Sequence, residues 1–484
     1  MSKILHAPES VREQTARLSA APSIRVAAVV AALSRALDLS TGQPPGHSVR
    51  SCLLGMRIGQ EYGLQEVQLN ELYFALLLKD CGCSGNASKT FHVLGSDDLK
   101  AKRDVKITDW TSVNRESFRY ALSHAAIGKP LLERALTLLR LARTQKAHAW
   151  EVTKIRCERG ALLARSMGLP DATSAAIRDL DEHWGGTGNP DHLRGEQINL
   201  LSRVMLLSQT LENFAAAHSK DAALEVVRQR TGKWFDPALV RAATSLAKRR
   251  QLWTDMDAPD VSDLVLTLDP QAARMKLGDG TCDSICTAFA QIVDAKSPFT
   301  YNHSNGVANA SVAIAQHLGL SPKRVMFVRH AALLHDLGKL GVSNAILEKP
   351  AKLNDEEWKI MKRHPEDTWL ILRDIPHFGE LSEVAASHHE KLDGSGYFRG
   401  LNARDLSTES RIIAVADIFD ALSAKRPYRD GLPLETVFMI MRKDAPHAID
   451  GDCLRALEES GIGSDQSFRD LDSLRQSLNL YESN

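Results

Sequence analysis

Apolar positions along this chain recur at spacings of three and four over many windows, and no long alternating run is present. From His303, for example, Val307, Ala310, Ile314 and Leu318 share one helical face, and Gly319 supplies a stop. The pattern predicts an all-α chain of helices joined by short loops. It also repeats. His47-Ser48 and His303-Ser304 each open a helical segment, and 33 residues after each histidine an apolar run ends in aspartate, Leu77-Leu78-Lys79-Asp80 against Leu333-Leu334-His335-Asp336. Further on, Glu182-His183-Trp184-Gly185-Gly186-Thr187-Gly188 aligns with Glu390-Lys391-Leu392-Asp393-Gly394-Ser395-Gly396, and Ser202-Arg203-Val204 with Ser410-Arg411-Ile412. The first copy carries 48 more residues between its aspartate and its glycine run. Three matches in one order predict an internal duplication. They place a tail at 1–22, one helical lobe at 23–255, a linker at 256–281, a second lobe at 282–460 and a tail at 461–484.

The two copies share a scaffold but differ in polar residues. The second presents His303, His335, Asp336, His364, His388, His389 and Asp417. The first keeps His47 and Asp80, but has Lys79 for His335, Arg156 near the place of His364, Leu180 and Asp181 for the adjacent histidines, and Gln209 for Asp417. Packing alone therefore does not demand the second set. Asp417 is the most telling member, because it interrupts Ile412-Ile413-Ala414-Val415-Ala416 and Ile418-Phe419, where an unpaired carboxylate would be costly. Imidazoles with carboxylates and no thiolate suit iron, manganese, zinc, nickel or cobalt. Seven donors exceed one tetrahedral site, so two metals sharing Asp336 are expected, with Glu390 as an acceptor behind one histidine. Lys339, at i+4 from His335, is placed to hold an anion near the metals, with Gly338 leaving room there. Arg426 and Arg429 add two cations after the Asp417 helix, and Pro427 fixes that turn.

Composition narrows the rest. At 484 residues two or three domains are expected. Sixty Lys and Arg against sixty Asp and Glu leave no global basic field, which excludes bulk binding to a nucleic-acid polymer or an anionic membrane. The charged N-terminus does not resemble a secretory signal, and Val26–Leu33 is too short to span a bilayer, so a cytoplasmic location is expected. Seven scattered cysteines show neither a disulfide framework nor paired CxxC motifs, and Cys81-Gly-Cys83 reads as two reduced thiols at a helix end.

With His335-Asp336-x-Gly-Lys339 and His388-His389-Glu390-x-x-Asp393-Gly-Ser-Gly-Tyr397 in place, the region from about Ile285 to Ala456 resembles an HD-GYP domain, a branch of the HD-domain metal phosphohydrolases. The first lobe resembles a degenerate copy in a tandem arrangement. The resemblance implies an all-helical fold and hydrolysis of cyclic di-GMP to pGpG or GMP. By position it implies one ion on His303, His335, Asp336 and Asp417, and another on Asp336, His364, His388 and His389, with iron or manganese favoured. Lys339 and Asp336 would be the catalytic pair, and Lys339, Tyr397, Arg426 and Arg429 the substrate contacts. Three-metal members carry a glutamate four residues before the first histidine; Phe299 stands there, which speaks against a third ion. Phe398 replaces the family's proline, a change that bears on loop rigidity and on signalling-partner contacts rather than on metal binding. Two other readings stay open: a catalytically silent cyclic-dinucleotide sensor or adaptor, and a phosphohydrolase for another cyclic dinucleotide or a nucleoside phosphate. The first lobe is expected to lack metal-dependent catalysis and to serve as a packing or regulatory partner.

Overall fold

A computed structural model describes residues 25–109, 115–258, 261–269, 279–425 and 430–462. Among these the secondary structure is helical, with isolated bridges that pair Thr231 with Phe235 and Asp393 with Asn402. The expected tails lie outside the described residues except for 461–462, as do parts of the expected linker.

The duplication is plain in the helices. Val26–Ser40, His47–Tyr62, Glu66–Leu78, Asp171–Arg178 and Leu200–Ala217 are repeated as Asp279–Asp294, His303–His317, Pro322–Leu334, Gly379–Ala386 and Thr408–Ser423. Local hydrogen bonding repeats with them. Asp38 accepts from the backbone N–H and hydroxyl of Ser48, as Asp294 does from Ser304, which ties the end of one helix to the start of the next. Glu182 accepts from the N–H groups of Asp191 and Leu193, and Glu390 from those of Arg399 and Leu401 at the same offsets. The extra residues of the first copy form the short helices Ala87–Leu94, Asp98–Val105 and Arg115–His124 and lengthen the Leu131–Ser166 helix.

Two features add detail to this organisation. Within the expected linker, Val261–Thr267 is a helix packed against Val26–Ser40 and His47–Tyr62, because Val261, Val265 and Leu268 fall at helical spacing and Val265 is buried. The lobes also share one apolar core, which runs through both. The Val26–Ser40 helix explains this: twelve of its fifteen residues are buried, so it needs cover on all sides. It finds that cover partly against the second lobe's Leu337–Gly341 turn and His364–Leu372 helix. A buried polar contact reinforces the junction. Asp98 of the first lobe accepts from the Asn344 N–H at 2.7 Å and the Ser343 hydroxyl at 3.1 Å, with the buried Lys296 ammonium 3.8 Å away.

Candidate metal centre

Each of the seven predicted donors stands at or near a helix terminus or on a buried helical face. His303 opens the His303–His317 helix, and His335-Asp336 follow the end of Pro322–Leu334. His364 opens His364–Leu372, His388-His389 follow Gly379–Ala386, and Asp417 lies within Thr408–Ser423. The Leu337–Gly341 segment after Asp336 is a 3₁₀ turn rather than a continued α-helix. Gly338 is required there because a Cβ would stand 2.1 Å from the His364 carbonyl oxygen; the room it leaves is for that backbone.

All seven come together. One oxygen of Asp336 lies 3.6 Å from His303 Nε2 and 3.4 Å from His335 Nε2, while its other oxygen lies 3.4 Å from His364 Nε2 and 3.6 Å from His388 Nε2. Asp417 adds an oxygen 3.1 Å from His303 Nε2, and its other oxygen is 3.8 Å from His389 Nδ1. The donors thus form two groups, His303/His335/Asp417 and His364/His388/His389, with Asp336 between them.

The imidazoles are aimed from behind. Nδ1 of His335, His364 and His388 is held by the carbonyl oxygens of Ala332, Met361 and Ala385 at 2.7, 2.7 and 2.8 Å, which turns each Nε2 inward. His303 Nδ1 is held at 2.6 Å by Asp420, a residue the sequence reading did not single out. Glu390 is not behind any histidine, contrary to expectation: both its carboxylate oxygens are engaged by the loop backbone at Arg399 and Leu401. That capture, with Arg399 paired to Glu383 and placed over the Phe398 ring, pins the loop without the family's proline. The Tyr397–Phe398 peptide is cis.

The electrostatics of His364, His388 and the two carboxylates fit cation binding. Burial pulls His364 down to about 3 and His388 to about 4, so both are neutral lone-pair donors near pH 7. Burial would raise Asp336 and Asp417, but the surrounding histidines, with Lys339 beside Asp336, outweigh it and hold both well below the usual carboxylate range. His335 Nε2 and Asp336 Oδ1 are buried without a hydrogen-bond partner, a costly arrangement that a coordinated ion would resolve. The first lobe resolves the same place differently. There the buried Lys79 ammonium lies 2.9 Å from His47 Nε2 and pairs with Asp80, which Lys106 also contacts at 2.7 Å. Among the described residues no donor group of metal-binding type forms in that lobe.

Lys339 points at this centre and pairs with Asp336. Tyr397 lies against the His389 ring with centroids 4.7 Å apart and planes tilted by 33°, on the wall of a cleft of about 620 Å³ that reaches His388 and His389. Trp358, Lys359 and Lys362 line the same cleft, with the Lys362 ammonium 5.3 Å from the Tyr397 ring centre. The sequence reading missed these three; their closeness to His364 in the chain was the available signal. Arg426 and Arg429 lie outside the described residues. No helix among the described residues is long and apolar enough to cross a membrane.

The HD domain family matches residues 101–239 and 287–453. A 3′3′-cGAMP-specific phosphodiesterase of Vibrio cholerae is 42% identical over 428 residues, 88% of this chain and 93% of that protein. A cyclic di-GMP phosphodiesterase of Thermotoga maritima is 43% identical over 141 residues, 29% of this chain and 38% of that one. A crystal structure of a cyclic GMP-AMP-specific phosphodiesterase of V. cholerae superposes with a TM-score of 0.62 at 38% identity, covering 90% of this chain and 98% of that one.

Proposed function

The chain belongs to the HD domain family, in its HD-GYP branch, as a metal-dependent phosphodiesterase of cyclic dinucleotides, and from that premise we propose that its preferred substrate is 3′3′-cGAMP. The observation carrying this choice is the extent of similarity: the cGAMP-specific relative matches through both lobes, over 88% of the chain. Cyclic di-GMP, the substrate the motifs first suggest, is the second reading, favoured by an equally high identity over a much shorter stretch.

In this proposal His303, His335, Asp336 and Asp417 would hold one divalent ion, and Asp336, His364, His388 and His389 a second; the donor set suits several transition metals, and the family resemblance favours iron or manganese. When bound, such a pair supplies Lewis acidity and lowers the pKa of water. The chain's own residues do the rest. Asp336 presents one oxygen to each donor group, so it sets their separation. Lys339 offers an ammonium that can leave Asp336 for a non-bridging phosphoryl oxygen and offset charge developing on it. Tyr397 and Trp358 give apolar walls for a base, and Lys359 and Lys362 give the cleft a positive rim. Arg426 and Arg429 would add phosphate contacts from the segment after the Asp417 helix. The first lobe is a structural partner whose Lys79 takes the place of an ion. What supports turnover over silent binding is that none of the seven donors is missing or turned away.

The test is turnover of 3′3′-cGAMP, cyclic di-GMP and cyclic di-AMP by protein purified without oxygen and supplied with Mn²⁺ or Fe²⁺, with Asp336→Ala alongside and products separated by chromatography. Faster cGAMP opening, lost in Asp336→Ala, is expected. Preference for cyclic di-GMP would overturn the substrate assignment, equal rates for Asp336→Ala would overturn the site, and tight binding without product would favour a sensor.

A further inference from the structure

A second convergence of donors lies away from this cleft, where the Asp279–Asp294 helix packs against Pro322–Leu334. Cys282 and Cys286 are one helical turn apart and share a face, and His330 meets them from the opposing helix. All three are buried. Cys282 Sγ is 3.8 Å from His330 Nδ1, and the three donor atoms all lie within 4.8 Å of one another. Zinc bonds of roughly 2.3 Å to sulfur and 2.0 Å to nitrogen, at a tetrahedral angle, require an S···N separation of about 3.5 Å, so this spacing is already close to a bound geometry. The far side of the imidazole is prepared too. His330 Nε2 has no hydrogen-bond partner and lies 3.4 Å from an oxygen of Asp283, which Arg329 anchors at 2.8 Å. From there a small turn of the ring would let Nε2–H donate to that carboxylate, the arrangement that fixes the tautomer of a metal-ligating histidine.

We propose that Cys282, Cys286 and His330 bind one thiophilic transition-metal ion of the zinc class, at a site separate from the phosphodiesterase centre. An ion here ties the first helix of the second lobe to the helix that ends in His335-Asp336, and so braces the catalytic ligands from behind. The sequence concealed it because a four-residue cysteine spacing is a helical pattern, and the third donor is far along the chain.

Cobalt(II) reports the site directly, because thiolate-to-cobalt charge transfer absorbs strongly in the near ultraviolet and the histidine–aspartate centre has no thiolate. Full-length protein, reduced with a phosphine and stripped of metal, would be titrated with Co²⁺ beside Asp336→Ala, His330→Gln and the Cys282→Ser/Cys286→Ser double variant, each checked for helicity by circular dichroism. The band should saturate at one equivalent of thiolate-bound cobalt in wild type, persist in Asp336→Ala, weaken in His330→Gln and vanish in the double variant. Absence of the band from wild type would overturn the proposal whatever the variants do, and so would its survival in the double variant.

Discussion

Asp420 is the residue whose replacement is most informative. Its carboxylate accepts from His303 Nδ1 at 2.6 Å, which turns His303 Nε2 towards Asp417 at 3.1 Å and Asp336 at 3.6 Å. Gly306 clears the space it needs, since a Cβ at that position would stand 1.9 Å from an Asp420 oxygen. The first lobe preserves the pairing as Glu212 on His47, where no ion is proposed, so the scaffold itself supplies this support. A hydrogen bond to a charged group contributes about 1.5–3 kcal/mol, and with 1.4 kcal/mol per tenfold its loss corresponds to roughly 10–100-fold in metal affinity. We therefore expect Asp420→Ala to need 10–100 times more Mn²⁺ for half-maximal turnover, with kcat at saturating metal within a few fold of wild type. Asp420→Asn, which keeps an acceptor oxygen, should fall between, and Gly306→Ala should resemble Asp420→Ala by pushing the carboxylate aside. Titration of initial rate against Mn²⁺ measures all four proteins. An unchanged metal requirement in Asp420→Ala would refute the orienting role, and a kcat loss that metal does not restore would place Asp420 in the chemistry itself.

Other expectations follow from the same structure. Lys339→Met should lower kcat by roughly 10²–10³ without loss of bound metal, because it removes charge aimed at the phosphoryl oxygens; retained kcat would refute that aim. Asp98→Ala removes the carboxylate beside the buried Lys296 ammonium, which keeps only uncharged acceptors such as the Leu340 carbonyl, and should cost about 3–5 kcal/mol in denaturant unfolding; a cost below about 1 kcal/mol would mean that the pair does not hold the lobes together. Stability should also fall in acid through His183, which burial pulls down to about 3 while it stacks on Trp234. Its folded pKa is depressed, so the unfolded chain takes up the proton first and stability drains as pH falls from about 6.5 towards 3. At pH 5 the loss is about 2 kcal/mol. His183→Phe should lose that much less than wild type between pH 7.5 and 5, and identical losses would contradict the assignment.

Much of the candidate centre was legible in the chain because its donors announce themselves locally. Asp417 breaks an apolar run, His335-Asp336 and His388-His389 stand at helix ends, and Lys79 in the first copy shows that packing does not require His335. What was not legible depends on contacts between distant helices. Asp420 is only three residues beyond Asp417, yet it resembles an ordinary polar helical position until His303 is brought beside it; comparing it with Glu212 at the matching place was the available clue. Glu390 looked like a partner for a histidine because it follows two of them, but the chain turns there and its oxygens go to backbone N–H groups, as those of Glu182 do. The joined core was hidden for a related reason. Val26–Leu33 read only as too short for a bilayer, while its lack of a polar face was the sign of a helix covered from both lobes. Cys282, Cys286 and His330 escaped because half of their pattern belongs to another helix.

The central claim is that Asp336 joins two groups of ligands into one hydrolytic centre. The most direct test is the metal content and 3′3′-cGAMP turnover of wild type and Asp336→Ala, purified side by side without oxygen; the difference between them cancels any ion held elsewhere. A deficit of two ions per chain, together with loss of turnover, is the predicted result. Equal metal content, or turnover undiminished in Asp336→Ala, would contradict it.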